Sequence, residues 1–403
     1  MSDLQERERL LWILALATFV IFFQAYMVAP IVPFFSQVFH SPLQTVGLIV
    51  PAYLIPYGVS TLIYGPIADR SGLRRVMLIS LTAFSLLSML TALSGSISQL
   101  TFCRILTGLG AGGVVPLALA LVGSLYPYQE RGRPLGWLFS AMAGGMAFGS
   151  PVGVILIPLV GWRGLFLVVG AAGLAVLVMI ARYFPRGLVS SSASPSKLSP
   201  RASFDGYRTL LSSARGRRTF SYVLINSMFH SGLFTWISVY FVQRFHLGAV
   251  GIGLALLGYG VPGFVLGPLI GRAADRVGRS KLLPVGLALS ASSAIILLIG
   301  FPVSLAPLVM MGLSLGYDMT QPLLGGIVTS LGGNRPGQAM GLNVFTLFVG
   351  FGFGSLIFGE LMRAGFDVAL TVFAITEFAA MALSIRLFRF ETPPVVIPGP
   401  TSL

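Results

Sequence analysis

Hydrophobic positions in this chain come as long unbroken runs, not as the narrow stripes of a water-soluble helix or the alternation of a half-buried strand. A helix of about 20 apolar residues crosses roughly 30 Å of hydrocarbon. Runs of that order occupy 10–36, 44–66, 75–94, 99–126, 133–160 and 163–183, and then 219–242, 250–270, 281–300, 304–330, 339–362 and 367–387. Twelve transmembrane helices are predicted. The intervals 95–98, 161–162 and 301–303 are short enough to be tight turns between antiparallel neighbours. A membrane β-barrel would show segments of about ten residues alternating apolar and polar positions, and the unbroken runs exclude it.

One interval departs from this pattern. Residues 184–218 hold Ser190-Ser191-Ser192-Ala193-Ser194-Pro195-Ser196 and, further on, Arg215-Gly216-Arg217-Arg218. Such a composition buries no core, so a mobile cytoplasmic linker with basic, partly amphipathic character is expected. It divides the chain into an N-terminal six-helix bundle (1–183) and a C-terminal one (219–387), with a tail at 388–403.

Composition changes the picture in one respect: it names the solvent. The chain of 403 residues is 55% hydrophobic and 9% charged, against about 25% charged in soluble domains. Surface this apolar calls for lipid. The net charge of +14 does not signal nucleic acid, because the basic residues lie singly or in small groups between the apolar runs. With both termini and the linker on one side, 22 of the 26 Lys and Arg share that side, three (Arg163, Arg244 and Arg363) lie opposite, and Arg104 falls within a run. Positive charge accumulates on the cytoplasmic side. A multi-pass protein of the inner (cytoplasmic) membrane with both termini cytoplasmic is therefore expected. The polar start Met1–Arg9 leads into a run too long for a signal peptide. Cys103 stands alone and His40, His230 and His246 are dispersed, so no disulfide, metal site or cofactor is expected. No nucleophile constellation suggests an enzyme.

The chain also repeats itself. After the second run stands Gly65-Pro66-Ile67-Ala68-Asp69-Arg70-Ser71-Gly72-Leu73-Arg74-Arg75; after the eighth stands Gly271-Arg272-Ala273-Ala274-Asp275-Arg276-Val277-Gly278-Arg279. Aligning Asp69-Arg70-x-Gly72 with Asp275-Arg276-x-Gly278 gives an offset of 206 residues, about half the chain. Parallel halves of six helices are one transporter architecture, with substrate bound between them near mid-bilayer.

The first copy resembles the loop between helices two and three of the major facilitator superfamily, Gly-x-Leu-Ala-Asp-Arg-x-Gly-Arg-Lys. Gly65, Asp69, Arg70, Gly72 and Arg74 match, Ile67 is conservative, and Leu73 replaces a basic residue. The second copy matches through Gly271, Asp275, Arg276, Gly278 and Arg279. Glycine permits the sharp turn, and an Asp can cap a helix and pair with Arg across a domain seam. The resemblance implies that both loops gate the rocking of the halves.

Two further stretches carry the likeness. Arg104-Ile105-Leu106-Thr107-Gly108-Leu109-Gly110-Ala111 is similar to Arg-x-x-Gln-Gly-x-Gly-Ala of the family's fourth helix, with Thr107 in place of Gln. A charge inside a span costs at least about 2.5–3.5 kcal/mol, and the resemblance implies that Arg104 influences proton transfer. Gly144-Gly145-Met146-Ala147-Phe148-Gly149-Ser150-Pro151-Val152-Gly153 resembles the antiporter pattern Gly-x-x-x-Gly-Pro-x-x-Gly-Gly of the fifth helix, with Ser150 inserted. Gly145, Gly149, Pro151 and Gly153 carry that match. The glycine-rich stretches at 108–113 and 350–354 follow no strand and are expected to be close-packing positions, not nucleotide loops.

The likeness covers nearly the whole chain and is greatest for the twelve-helix drug:proton antiporter branch. It implies an all-α membrane fold of two pseudo-symmetric six-helix bundles, working as a monomer in the bilayer. The implied activity is export of small amphipathic molecules, drug-like compounds or metabolites, by proton antiport with alternating access. A sugar or organic-anion importer or uniporter is the alternative within the fold; a channel or membrane enzyme is the alternative outside it.

Proton coupling needs a group that changes protonation at membrane depth. Asp318 lies mid-run within Gly316-Tyr317-Asp318-Met319-Thr320-Gln321-Pro322. Helices one, four, seven and ten line the cavity of the resembled fold, which makes Asp318 the implied proton carrier. Glu377 is also mid-run, but the twelfth helix is peripheral there. The expected cavity lining is Gln24, Tyr26, Asn226, Phe229, His230, Trp236, Gln321 and Asn343.

Overall fold

The computed structural model describes residues 2–125, 132–184, 200–332 and 336–391. Helices α1 (Ser2–Met27) and α2 (Val32–Val38) form the first crossing, joined by the 3-10 turn Ala29–Ile31 where Pro30 and Pro33 remove backbone donors. Helices α3 (Leu43–Gly47) and α4 (Pro51–Ser71) make the second crossing, α5 (Leu73–Thr91) the third, and α6 (Ile97–Ala111) with α7 (Val115–Leu125) the fourth. Helix α8 (Gly132–Tyr183) runs for 52 residues, about 78 Å if straight at 1.5 Å per residue. Gly161, with φ 68° and ψ 164°, breaks it into the fifth and sixth crossings.

A short helix α9 (Pro200–Ser212) then precedes α10 (Ala214–Phe245). The chain bends by 118° after α10 into α11 (Ala249–Ala255), which continues through a 3-10 turn into α12 (Val261–Val277). The last four crossings are α13 (Arg279–Ile299), α14 (Ala306–Leu331), α15 (Pro336–Leu361) and α16 (Phe366–Leu387). Among the described residues nine helices, or ten with the bent pair of α10 and α11, are long and apolar enough to cross a membrane, and the breaks at Gly161 and after α10 make this consistent with the twelve expected; the described residues include no strand. Helices satisfy every backbone donor internally, the condition for crossing lipid. Buried hydroxyls do the same by bonding one turn back, as Thr18 to the Leu14 carbonyl at 2.8 Å and Ser85 to that of Leu81 at 2.8 Å.

The two halves repeat in backbone as well as in sequence. Gly72 ends α4 at φ 86°, ψ 134°, and Gly278, 206 residues on, ends α12 at φ 91°, ψ 146°. His40 and His246, again 206 apart, both take the left-handed conformation at φ 47° and 53°. Packing repeats too. A Cβ on Gly145 or Gly149 of α8 would lie 2.7 Å from the Phe19 or Phe23 carbonyl of α1; on Gly350 or Gly354 of α15 it would lie 3.0 or 2.0 Å from the Leu224 or Met228 carbonyl of α10. Small residues four apart let backbones touch, and here the same device joins helix one to five and helix seven to eleven.

Part of the interval expected to be linker is helical: α9 and the first turns of α10, started by the Ser213 hydroxyl accepting from the Gly216 amide. The Ser190–Ser196 stretch lies outside the described residues. Arg215 and Arg218 do not dangle. Both pair with Glu391, Arg215 at 2.7 Å, while Arg218 also donates to the Leu387 carbonyl and sits 4.4 Å from the Phe388 ring centre. The start of the expected tail is thereby tied to the beginning of α10. Hydrogen bonding and charge from Arg215 hold the Glu391 carboxyl below the usual glutamate range. A depressed carboxyl stabilises the fold above its unfolded pKa and loses that contribution as pH falls through its folded value. Glu391→Ala is expected to lower the thermal midpoint at neutral pH by a small amount, at most about 1 kcal/mol for a partly exposed pair. The gap from wild type should close on acidification below the ordinary glutamate range, as read by melting curves across pH.

Candidate functional site

The halves meet where α4 packs on α15, where α8 packs on α11 and α12, and where α10 packs on the first crossing. Near the end of the seam away from the chain termini, Trp236 of α10 fills the space left by two glycines. A Cβ on Gly47 of α3 would lie 2.2 Å from its ring, and one on Gly359 of α15 2.5 Å. Its indole N–H donates to the Ser355 carbonyl at 2.9 Å. Further along the seam, Tyr57 of α4 lies 4.1 Å from Phe348 of α15, centre to centre.

Toward the middle of the seam the aromatic residues close into a box around His230 of α10. Its ring stacks on Tyr317 of α14 at 3.8 Å and on Tyr259, beside the break between α11 and α12, at 5.4 Å. The Tyr259 hydroxyl also bonds His230 Nε2. Phe234 lies 4.5 Å from Tyr259 and 5.1 Å from Tyr26 of α1; Phe351 of α15 lies 5.8 Å from His230. Both halves supply rings.

Two small cavities flank this box, and His230 lines both. One is bounded by Ala25, Tyr26, Val50, Leu54, Phe234 and Phe351; the other by Ala143, Met146, Tyr259, Gly260, Ser314, Tyr317 and Asp318. Asp318 accepts from the Ser314 hydroxyl at 2.9 Å, one turn back on α14. A Cβ on Gly263 would lie 2.6 Å from Asp318 Oδ1, so only glycine lets α12 come this close to the carboxyl. None of the described ion pairs involves Asp318. The site thus offers π faces, one unpaired carboxyl and a histidine whose proton state is linked to a tyrosine.

The structure brings Tyr26, His230 and Asp318 of the sequence-derived set together here. The others face elsewhere. Gln24 donates to Ser88 of α5 at 2.8 Å, inside the N-terminal bundle. Asn226 donates to Thr320 of α14 at 2.8 Å, Gln321 to Ser227 at 3.3 Å, and Phe229 packs on Phe373 of α16, all inside the C-terminal bundle. Trp236 plugs the seam, and Asn343 is buried on α15 with its carbonyl oxygen unpartnered. Arg104 is fully buried, so it does not reach to the interface; its Nε donates to the Ile49 carbonyl at 3.2 Å and its guanidinium lies 4.2 Å from the Tyr53 ring centre. These contacts direct it to the second crossing, away from the Asp318 cavity lining.

Of the gating loops, Arg74 donates to the Ala181 carbonyl at 2.7 Å at the end of α8, and the Arg279 guanidinium lies against Gly326 of α14. Each cation therefore holds its own bundle. Gly65 has open space around it. Asp69, Arg70, Gly271, Asp275 and Arg276 lie in α4 and α12, and their side chains are outside the described residues. Gly145, Gly149 and Gly153 of the fifth-helix stretch face α1, whereas the Pro151 carbonyl lies 3.3 Å from a Cβ built on Gly253 of α11. That helix has one face on its own bundle and the other on the seam. Tyr259, Tyr317, Phe234 and Phe351 completed the box without a sequence signal of their own beyond Tyr317 adjoining Asp318.

Comparison with known proteins agrees with this architecture. The chain is 27% identical over 395 residues to the uncharacterized MFS-type transporter YceJ of Bacillus subtilis (strain 168), covering 95% of each chain. It is 23% identical over 365 residues to the quinolone resistance protein NorA of Staphylococcus aureus, covering 89% of this chain and 90% of that one. A crystal structure of a D-xylose-proton symporter superposes with a TM-score of 0.75 at 17% identity, covering 96% of this chain and 98% of that one. Residues 14–258 and 249–402 match the sequence pattern of the Major Facilitator Superfamily, and with the membrane-spanning helices and the repeated halves in place, the chain is a membrane transporter of that superfamily and not an enzyme.

Proposed function

We propose that this transporter exports small amphipathic molecules in exchange for protons, by alternating access about the seam, with Asp318 as the proton carrier. The observation that carries the reading is an unpaired carboxyl lining a cavity whose walls come from both halves and whose neighbours are aromatic. Aromatic faces bind apolar bodies and attract positive charge, and a carboxyl in their midst is the natural competitor between a proton and a cationic group. Similarity to a protein named for quinolone resistance supports efflux over uptake. In this reading both termini are cytoplasmic in the inner membrane, the chain acts as a monomer, Trp236 closes the outer end of the seam, and Arg104 braces the second crossing against the fourth.

Direction is tested by collapsing the proton gradient in cells loaded with a panel of fluorescent amphipathic amines. An antiporter is expected to let the dye accumulate when uncoupled. A fall in accumulation would instead mark a symporter of the same fold, the sugar or organic-anion importer considered above.

A further inference from the structure

Glu377 has no place in that scheme, yet it is fully buried in α16 and neither carboxyl oxygen has a hydrogen-bond partner. Its surroundings follow from the contacts on either side of it. Helices α10 and α16 run antiparallel, with Phe229 packed on Phe373 at 6.4 Å and the Tyr222 hydroxyl donating to the Ala380 carbonyl at 2.9 Å. Glu377 comes four residues after Phe373 and three before Ala380; Asn226 comes four after Tyr222 and three before Phe229. The two residues therefore stand at the same level of the contact between these helices. Asn226 is also buried, and its Oδ1 is likewise without a donor.

Among the described residues no cation is placed to neutralise a carboxylate there. On α10, Arg218 is committed to Glu391 and the Leu387 carbonyl, and the Tyr222 hydroxyl is spent on Ala380. On α13 the basic residues Arg279 and Lys281 stand at the first turn only, and on α15 Glu360 is exposed at the opposite end, paired with Arg363. A buried charge without a partner costs far more than a buried neutral acid. One proton answers both orphans.

We infer that Glu377 is a neutral acid whose O–H is donated to Asn226 Oδ1, and that it is a positioning residue for Asp318. Asn226 Nδ2 donates to Thr320 Oγ1 at 2.8 Å, and Thr320 Oγ1 donates to the Tyr317 carbonyl at 2.9 Å. That carbonyl belongs to the peptide unit joining Tyr317 to Asp318. The chain Glu377–Asn226–Thr320 thus ties α16 and α10 to the turn of α14 that holds the carboxyl, and satisfied polar networks of this kind fix one arrangement of a packed core.

The transport arm of the test rests on the proton-carrier reading of Asp318; the other two arms do not. Full-length wild type, Glu377→Gln and Glu377→Leu are compared in lipid vesicles. The glutamine amide can still donate to Asn226, so E377Q should keep the thermal midpoint and the pH profile of transport. E377L leaves Asn226 Oδ1 orphaned and should melt lower, transport about tenfold more slowly and show a displaced pH profile. Infrared spectra should contain a protonated-carboxyl band that E377Q removes and that bulk pH does not alter. An E377Q profile flattened like that of a lost proton carrier, absence of the band, or E377L indistinguishable from wild type would each overturn the inference. If neither wild type nor variant responds to a pH gradient while the melting and infrared results hold, the reading of Asp318 fails with the positioning role, and the neutral Glu377 bonded to Asn226 stands.

Discussion

Asp318→Asn should abolish pH-gradient-driven accumulation in vesicles, by roughly 100-fold or more, the scale at which a positioned proton-transfer group contributes. The substitution is nearly isosteric, and the asparagine carbonyl can still accept from the Ser314 hydroxyl that now lies 2.9 Å from the carboxylate. The aromatic walls formed by His230, Tyr259 and Tyr317 are untouched. What is lost is the ability to take up a proton on one side and release it on the other. Solute binding and downhill exchange should therefore persist while coupling disappears, and the residual exchange should no longer vary with pH. Counterflow and gradient-driven uptake measured on the same vesicles separate these outcomes. Gradient-driven transport at the wild-type rate would mean that the coupling group lies elsewhere, and the unpaired carboxyl would be reduced to a helix-packing acid held by Ser314.

In the proposed scheme His230 is the residue that joins the two cavities. It lines the cavities on both sides of the box, and its hydrogen bond with the Tyr259 hydroxyl ties its tautomer to a residue at the break between α11 and α12. Gly260 follows immediately at φ 81°, with Ala147 of α8 only 2.6 Å from where its Cβ would be. A left-handed backbone in van der Waals contact with the other half is a place where rocking must be felt. Movement at this point would alter the hydrogen bond to His230 and the packing beside Asp318 together, which is the link between solute, proton and domain angle that the proposed exchange would need.

The fold was legible because lipid imposes a length. Runs near 20 residues read directly as crossings, and the Asp-Arg-x-Gly repeat marks the two halves. The start of α10 was not legible for a definite reason: Arg215-Gly216-Arg217-Arg218 has the composition of a solvated linker, and the contacts that hold it beside its Ser213 cap come from the distant partners Glu391 and Leu387. The site was half legible. Asp318 stands out because an acid at mid-span is expensive. Gln24 and Asn226 look like cavity residues for the same reason, yet they bond Ser88 and Thr320. Helices apolar on every side carry no stripe to show which face meets lipid, which meets a neighbour and which meets the seam. Tyr259, Phe234 and Phe351 were hidden by that uniformity among thirty phenylalanines and twelve tyrosines.

The glycines are where that uniformity ends, and Gly354→Val should cost the chain its folded state. A Cβ at Gly354 would sit 2.0 Å from the Met228 carbonyl oxygen and 2.5 Å from the Met228 Cα, both backbone atoms of α10. No rotamer relieves a clash with backbone, so the two helices would have to part by about an ångström or more along the seventh–eleventh contact. That contact carries Phe351, one wall of the aromatic box, on α15. Overpacking a tight core typically costs about 1–3 kcal/mol, and this contact is tighter than a side-chain mismatch. The equivalent change in the other half, Gly149→Val, meets the Phe23 carbonyl at 2.7 Å and should destabilise less. Gly325→Ala, in α14 with nothing within 4 Å of its Cβ, should be harmless or gain up to about 1 kcal/mol from helix propensity. Yield of monodisperse protein in detergent and its thermal midpoint rank the three. An order other than Gly354→Val worst and Gly325→Ala best would mean that backbone contact is not what joins helix seven to eleven, and the box would have lost the frame that holds it.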